Sequence, residues 1–202
     1  PFTDCTMTTP RVAEHAIDPQ FLSRWSPRAF TGEPVSDEVV RGLLEASRWA
    51  PSASNIQPWR FLYGRTGTPA FQDILSGLVP FNQTWAGKAS ALIVVLSKTT
   101  SVAPGQTEAK PNAWHAFDAG SAWMSLALQA HLSGWATHGM GGFVEATLRD
   151  KLGVPADVAI HAVIALGKPG DKATLPEGLQ ARELPSGRLA LAQIAAEGAY
   201  RF

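Results

Sequence analysis

Cysteine is nearly absent from this sequence of 202 residues, which contains Cys5 alone. A single cysteine cannot form an internal disulfide framework or a cysteine-based zinc site. Charged residues are also scarce, at 17% against roughly 25% in an average soluble domain. Together with 45% hydrophobic residues, this shortage excludes disorder and indicates that a partner subunit covers part of the surface.

The sequence has no excess of charge of either sign, because 17 basic residues balance 17 acidic ones. This balance argues against a general nucleic-acid binder, which needs a basic face to meet phosphates. The longest apolar run, from Ala89 to Leu96, is far shorter than the roughly 20 residues that span a bilayer. No basic start followed by an apolar stretch is visible at the N-terminus, so we expect a cytoplasmic protein with no membrane partner.

Several catalytic motifs are missing. The sequence contains no G-x-x-x-x-G-K-[ST] loop, no G-x-G-x-x-G after a strand, no H-E-x-x-H and no G-x-S-x-G. The five histidines share no ligand-like spacing, and we predict no metal site; they are His15, His115, His131, His138 and His161.

The hydrophobic pattern predicts an N-terminal arm over residues 1–17 and one domain over residues 18–202. Strands are predicted at 59–64, 91–96, 135–140 and 159–166, and helices from 18, from 36, at 69–78, at 116–132 and at 145–152. Residues 98–114, rich in Pro, Gly, Thr and Ser, are predicted to form a loop or lid. Helices and strands mix without strict alternation, which favours an α+β layered domain.

Three short segments could carry chemistry. The first, Arg24-Trp25-Ser26-Pro27-Arg28-Ala29-Phe30, offers two arginines and a hydroxyl that can grip a phosphate or an oxyanion. The second, Pro51-Ser52-Ala53-Ser54-Asn55-Ile56-Gln57-Pro58-Trp59, concentrates small polar donors between a helix and a strand. The third, Gly139-Met140-Gly141-Gly142-Phe143, lets backbone approach a flat ligand closely. Each alone could equally be a basic turn, a capping turn or a tight turn.

In combination, these segments resemble the FMN-dependent nitroreductase family. They are similar to its R-x-S-x-[RK]-x-F, P-S-x-x-N-x-Q-P-W and later glycine turn, and Arg188 resembles its C-terminal basic residue. The resemblance runs from about residue 18 to residue 194. It implies a three-layer α/β/α sandwich with a central mixed, mainly antiparallel sheet. It also implies a homodimer that exchanges C-terminal tails and holds FMN at the subunit interface.

The resemblance also implies roles for individual residues. Arg24, Ser26 and Arg188 would hold the FMN phosphate and ribityl chain, and Arg28 would lie near flavin N1 and O2. There a fixed cation would stabilise the negative charge that develops on reduction. The other residues implied to bind the cofactor are Trp25, Pro51, Ser52, Ala53, Asn55, Gln57, Asn82, Gly141 and Gly142. Of these, Pro51, Ser52, Ala53 and Asn55 would reach the flavin of the partner subunit. Asn82 would hydrogen-bond the pyrimidine edge of the flavin, and the two glycines would present backbone near its N5 side.

The activity implied is hydride transfer from NADH or NADPH to FMN, and then to a nitroaromatic, quinone or similar small acceptor. No protein acid or base is assigned. Two positions depart from the family pattern, because Trp85 and Ser186 stand where basic residues are common. Three alternatives stay open: another reaction on the same flavin fold, such as dehalogenation, flavin fragmentation or dehydrogenation; a flavin-storage protein; and a cofactor-free binding domain.

Overall fold

The computed structural model of this chain describes residues 11–102 and 104–202. Cys5 and the first ten residues of the predicted arm lie outside this description. Residues 11–17 of the arm carry no helix or strand. The division between arm and domain stays a prediction.

Seven helices and six strands are described. The helices are α1 (Gln20–Ser23), α2 (Asp37–Arg48), α3 (Pro69–Ser76), α4 (Pro80–Ala86), α5 (His115–Leu132), α6 (Glu145–Leu152) and α7 (Glu177–Gln180). The strands are β1 (Trp59–Arg65), β2 (Ala91–Lys98), β3 (Thr100–Ser101), β4 (Lys110–Pro111), β5 (Ala136–Met140) and β6 (Val158–Gly167). The sequence did not predict α4, and the predicted loop at 98–114 contains the short β3–β4 ribbon.

Four strands form the central sheet in the order β1-β2-β6-β5. Each neighbouring pair is antiparallel, with Phe61 opposite Val95 and Val94 opposite Val163. The mainly antiparallel sheet is therefore confirmed, and no parallel pair occurs among the strands of the described residues.

Helices cover both faces of this sheet, which gives three layers. Residues 91–97 of β2 are all buried, because the strand lies between two cores. One core packs α3, α4 and α6 against alternate residues of β2 and β6; it includes Phe71, Ile74, Trp85, Leu92, Val94, Leu148 and Val163. The other packs α2 and α5 against the opposite face; it includes Val40, Leu43, Ile93, Val95, Leu126 and Ile164.

Local signals in the sequence set the ends of several helices. The Ser36 hydroxyl accepts the Val39 N–H at 3.2 Å and caps α2, and Thr68 caps α3 in the same way. Gly153 ends α6 at a φ of 63°, a left-handed conformation that glycine adopts easily. No helix of the described residues is both long and apolar enough to cross a membrane.

Gly64 marks the point where β1 and α3 approach most closely. A Cβ atom at this position would lie 2.2 Å from the Phe71 nitrogen and 2.4 Å from the Ala70 carbonyl carbon. We expect Gly64→Ala to lower the free energy of unfolding by about 2–3 kcal/mol, because rigid backbone would have to move. Urea denaturation measures this change.

Gly42 provides the matched control. It lies in α2, and a Cβ there would meet nothing within 4 Å. Gly42→Ala should stabilise the protein by roughly 0.5–1 kcal/mol, since alanine is the better helix former. Equal effects of the two substitutions would contradict the close approach at Gly64.

Candidate active site

Three arginines from distant parts of the chain meet beside α1. The Arg11 guanidinium donates to the carbonyl oxygens of Leu22 at 2.6 Å, Arg24 at 2.8 Å and Ser186 at 2.9 Å. Burial, followed by the charges of Arg11 and Arg188, lowers the pKa of Arg24 from its usual value. No carboxylate of the described residues forms an ion pair with Arg11, Arg24 or Arg188. This guanidinium cluster is therefore suited to an anion.

Ser26 and Trp25 lie next to this cluster. The Ser26 hydroxyl oxygen is 3.5 Å from Nη1 of Arg24, so both can face one ligand. Arg24 and Trp25 also line a cavity of about 240 Å³ together with His131 and Thr137. The Thr137 hydroxyl is buried and has no hydrogen-bond partner among the described residues.

Arg28 lies deeper, next to a buried acid. Glu183 is 6% exposed, and its Oε1 accepts the backbone N–H groups of Arg28 at 2.6 Å and Ala29 at 2.8 Å. Its Oε2 lies 3.9 Å from Nη1 of Arg28 and has no hydrogen-bond partner within residues 11–102 and 104–202. Burial and then Arg182 lower the pKa of Arg28, whereas Glu183 raises it. The carboxylate thus holds the turn that carries Arg28 and faces its charge.

His138 and Trp85 complete the surroundings of Arg28. Nδ1 of His138 lies 2.8 Å from the Ser26 carbonyl oxygen, so it carries the proton and donates. Burial, and then the Arg28 charge, lowers the pKa of His138, which keeps the ring neutral at neutral pH. The indole of Trp85 packs against this ring at 4.8 Å and lies 6.0 Å from the Arg28 guanidinium. Trp85 therefore occupies space beside Arg28, and its buried Nε1 has no hydrogen-bond partner in the part of the chain that the structure describes.

Asn82 and the glycine turn are brought together by α4. The Asn82 side-chain amide donates to the Gly142 carbonyl at 3.0 Å, and its Nδ2 would be 2.6 Å from a Cβ at position 142. Only glycine therefore fits there without displacing Asn82. At Gly141, by contrast, a Cβ would meet nothing within 4 Å, so this backbone faces open space.

The loop of residues 51–57 lies apart from these groups, with no hydrogen bond to them in the described part of the chain. Buried Asp118 accepts the Ala53 N–H at 3.2 Å, and the Ser52 hydroxyl accepts the Gln57 N–H at 3.0 Å. Three of its residues have left-handed φ angles of 50–54°; they are Ser54, Asn55 and Gln57. Backbone strain of this kind is typical of functional sites. Pro51 and Asn55 are exposed at its edge.

Sequence reasoning missed four residues of this arrangement: Arg11, Asp118, His138 and Glu183. Asp118 had a visible signal, because it is the last charged residue before a long uncharged stretch that ends at Glu145. The other three had none, since their partners lie 10 to 175 residues away.

Glu183 offers a test of this geometry. We expect Glu183→Ala to lower the free energy of unfolding by about 3 kcal/mol, because the backbone N–H groups of Arg28 and Ala29 lose their acceptor and the Arg28 guanidinium loses its ion-pair partner. Exposed Glu177, in α7, is the control, and Glu177→Ala should change stability by less than about 0.5 kcal/mol. Chemical denaturation of both variants decides the point; similar small losses would mean that Glu183 does not hold the turn.

The chain matches the family model described as the nitroreductase family over residues 22–68 and 67–168. The chain is 30% identical over 197 residues to an NADH dehydrogenase of Thermus thermophilus. This alignment covers 84% of this chain and 92% of the relative.

Solved structures give the same grouping. A crystal structure of an oxidoreductase containing FMN is 44% identical, with a TM-score of 0.91 and coverage of 96% of this chain and 99% of that one. A nitroreductase-type protein in complex with FMN, from Desulfovibrio desulfuricans, is 28% identical with a TM-score of 0.69, covering 90% and 96% of the two chains.

Proposed function

Because this chain belongs to the nitroreductase family, we propose that it is a flavoprotein oxidoreductase. In this proposal the cofactor is FMN and the electron donor is NADPH or NADH. The acceptor is a nitroaromatic compound, a quinone or a similar small molecule. Structures of similar proteins that contain FMN support the choice of cofactor. We expect a cytoplasmic protein with no nucleic-acid or membrane partner.

The observation that carries the proposal is the guanidinium cluster of Arg11, Arg24 and Arg188. Burial, and then the charges of Arg11 and Arg188, lowers the pKa of Arg24, and a bound anion would offset both effects. The FMN phosphate fits this need, because arginines bind phosphate oxygens with paired hydrogen bonds. Ser26 adds a hydroxyl donor beside them. Arg11 thus joins Arg24, Ser26 and Arg188, for which the family resemblance implies contacts to the phosphate.

Arg28 is proposed to stabilise the negative charge of the reduced ring. Its side chain is 16% exposed, so water screens its charge only weakly. Glu183 and the Trp85 indole fix its position. Asn82 is proposed to bind the pyrimidine edge, and the open backbone at Gly141 leaves room for the flat ring.

The bound flavin would supply the redox chemistry, taking a hydride from NAD(P)H and passing it to the acceptor in two successive half-reactions at one site. The protein's own residues would position the ring and supply its electrostatic field. Neutral His138 keeps the carbonyls of Ser26 and Pro27 satisfied, and so orders the turn before Arg28. No side chain of the described residues is assigned as an acid or base.

A homodimer is proposed because α5 leaves an apolar stripe uncovered. Phe117 is 72% exposed, and Trp114, Met124 and Leu132 continue the stripe along α5. Large apolar patches of this kind mark interfaces. The loop of residues 51–57 is hydrogen-bonded to Asp118 of the same helix, so a partner on α5 would bring that loop to the neighbouring flavin.

Tail exchange belongs to the same proposal. The tail first follows its own subunit, where the Leu191 N–H donates to the Glu14 carboxylate at 2.9 Å. Beyond this contact, Ile194, Tyr200 and Phe202 are more than half exposed. These apolar side chains are the part of the tail proposed to cover the partner.

An absorbance spectrum of the purified protein tests the function directly. We expect a flavin spectrum that bleaches when NADPH or NADH is added without oxygen and returns when a quinone is added. The nucleotide that bleaches it is the donor. A protein that takes up no FMN contradicts the proposal, whereas bound FMN that neither nucleotide reduces would favour storage.

Arg188 tests the phosphate site. Arg188→Ala should weaken FMN binding about tenfold and leave riboflavin binding unchanged, because only FMN carries the phosphate. Fluorescence titration of the flavin-free protein measures both ligands. Arg41→Ala removes an exposed arginine on α2 and is the control. Equal losses for FMN and riboflavin would argue against a phosphate contact.

Phe117 tests the dimer. We expect Phe117→Asp to shift the protein from dimer to monomer in sedimentation velocity, because a charge would be buried at the interface. Val144→Asp, at an exposed apolar position before α6, should leave the dimer intact. A wild-type protein that sediments as a flavin-loaded monomer would refute the shared site.

A further inference from the structure

A second cavity, of about 340 Å³, opens beside the loop of residues 51–57. One wall is that loop, from Ser54 to Gln57, together with Arg60 on β1. Lys98 at the end of β2 and Thr100 and Ser101 of β3 also line the cavity. Apolar side chains close the rest; they belong to Ile56, Pro58, Val102, Pro104 and Ala109. The cavity thus combines apolar walls with a polar, hydroxyl-bearing side.

The charge in this cavity is positive. Arg60 and Lys98 are its ionisable lining residues, and neither forms an ion pair with a carboxylate of the described residues. Arg60 uses Nη1 to donate to the carbonyls of Gln57 at 3.0 Å and Trp59 at 2.6 Å. Its other nitrogens and the Lys98 ammonium have no hydrogen-bond partner in the described part of the chain. Glu108 and Lys110 flank Ala109 in sequence, and their opposite charges offset each other.

The cavity wall is held in place before any ligand arrives. Ser54, Asn55 and Gln57 all keep left-handed φ angles, which cost free energy unless surrounding contacts hold them. The Arg60 guanidinium donates to the Gln57 carbonyl on the cavity side, and the Asp118 carboxylate accepts the Ala53 N–H on the core side. A loop held in this way loses little entropy when a ligand binds.

We propose that this cavity binds the carboxylate of a one-ring aromatic acceptor, with Lys98 and Arg60 as the anion-binding residues. The inference rests on the proposed function, because Ser54 and Asn55 belong to the loop proposed to contact the partner's flavin. Lys98 lines the same cavity as these two residues, so an aromatic acceptor bound beside them would direct its carboxylate to Lys98. The volume is at the lower end of small-molecule sites, which suits one substituted ring better than a dinucleotide.

The test compares two acceptors that differ in charge. 4-Nitrobenzoate carries a carboxylate, and 4-nitrobenzamide replaces it with a neutral amide of similar size. We expect Lys98→Gln to lower kcat/KM for 4-nitrobenzoate about tenfold and to leave the value for 4-nitrobenzamide within about twofold. Added salt should weaken the wild-type preference for the carboxylate, because exposed charges are screened.

Lys172→Gln is the matched control, since Lys172 is an exposed lysine that does not line the cavity. It should leave both acceptors unchanged. Equal losses on the two acceptors in Lys98→Gln, or no loss on either, would overturn the proposal. A Lys98→Gln variant that loses the preference for NADPH over NADH but keeps its acceptor selectivity would also overturn the proposal. In that case the anion bound by Lys98 would be the nucleotide phosphate.

An equilibrium measurement separates this site from turnover. Benzoate, titrated by calorimetry into the FMN-loaded protein, should bind Lys98→Gln about fivefold more weakly than wild type or Lys172→Gln. Unchanged benzoate affinity would overturn the proposal. If wild type takes up no FMN and reduces neither nitro compound, the proposed function fails and the acceptor site with it. Turnover of both compounds without charge discrimination overturns the site alone.

Discussion

Burial of β2 on both faces is the constraint on which the rest of this fold depends. All seven residues from Ala91 to Ser97 are buried, so each face of the strand needs a covering layer. Its neighbours β1 and β6 satisfy the backbone groups, and helices from both sides supply the apolar contacts. The strand thereby fixes where α5 and α4 lie. Those two helices carry Asp118 on one side and Asn82 with Trp85 on the other.

Polar groups around Arg28 satisfy one another, and burying any of them without its partners would cost free energy. Glu183 satisfies two N–H groups of the turn, and His138 satisfies the carbonyls just before it. The positions of Arg28 and Ser26 are therefore set by residues more than 100 positions further along the chain. A cation held in this way can act on a bound ring without reorganising, which is what the proposed electrostatic role requires.

The candidate site is divided between two regions of one subunit. Arg28, Asn82 and the glycine turn lie around α4 and β5, and the guanidinium cluster lies beside α1, whereas the loop of residues 51–57 is tied to the start of α5. An uncovered apolar stripe runs along α5, beside that loop. This separation is the physical argument for the proposal that a second copy of the chain completes the site.

Local patterns in the sequence were enough to predict most of the helices and strands of the layered fold. Apolar runs predicted β1, β2 and β6, and serine and glycine signals predicted the start of α2 and the end of α6. It missed α4, because that helix begins with Pro80, has no clear apolar period and buries only Trp85 and Ala86. The motifs also led to the family, since the segments around Ser26, Asn55 and Gly142 follow a recognisable order.

The contacts between charged side chains of the candidate site became visible only in the three-dimensional structure. No local pattern connects Arg11 with Arg188 or Arg28 with Glu183, because pairs so far apart in the chain meet only after the sheet and helices have packed. The same holds for the cavity between Arg60 and Lys98, which the pairing of β1 with β2 brings together. Periodicity and caps act over a few residues and can be read from the chain. Which charged side chains lie near each other depends on contacts between distant parts of the chain, and these form only when the sheet and helices pack.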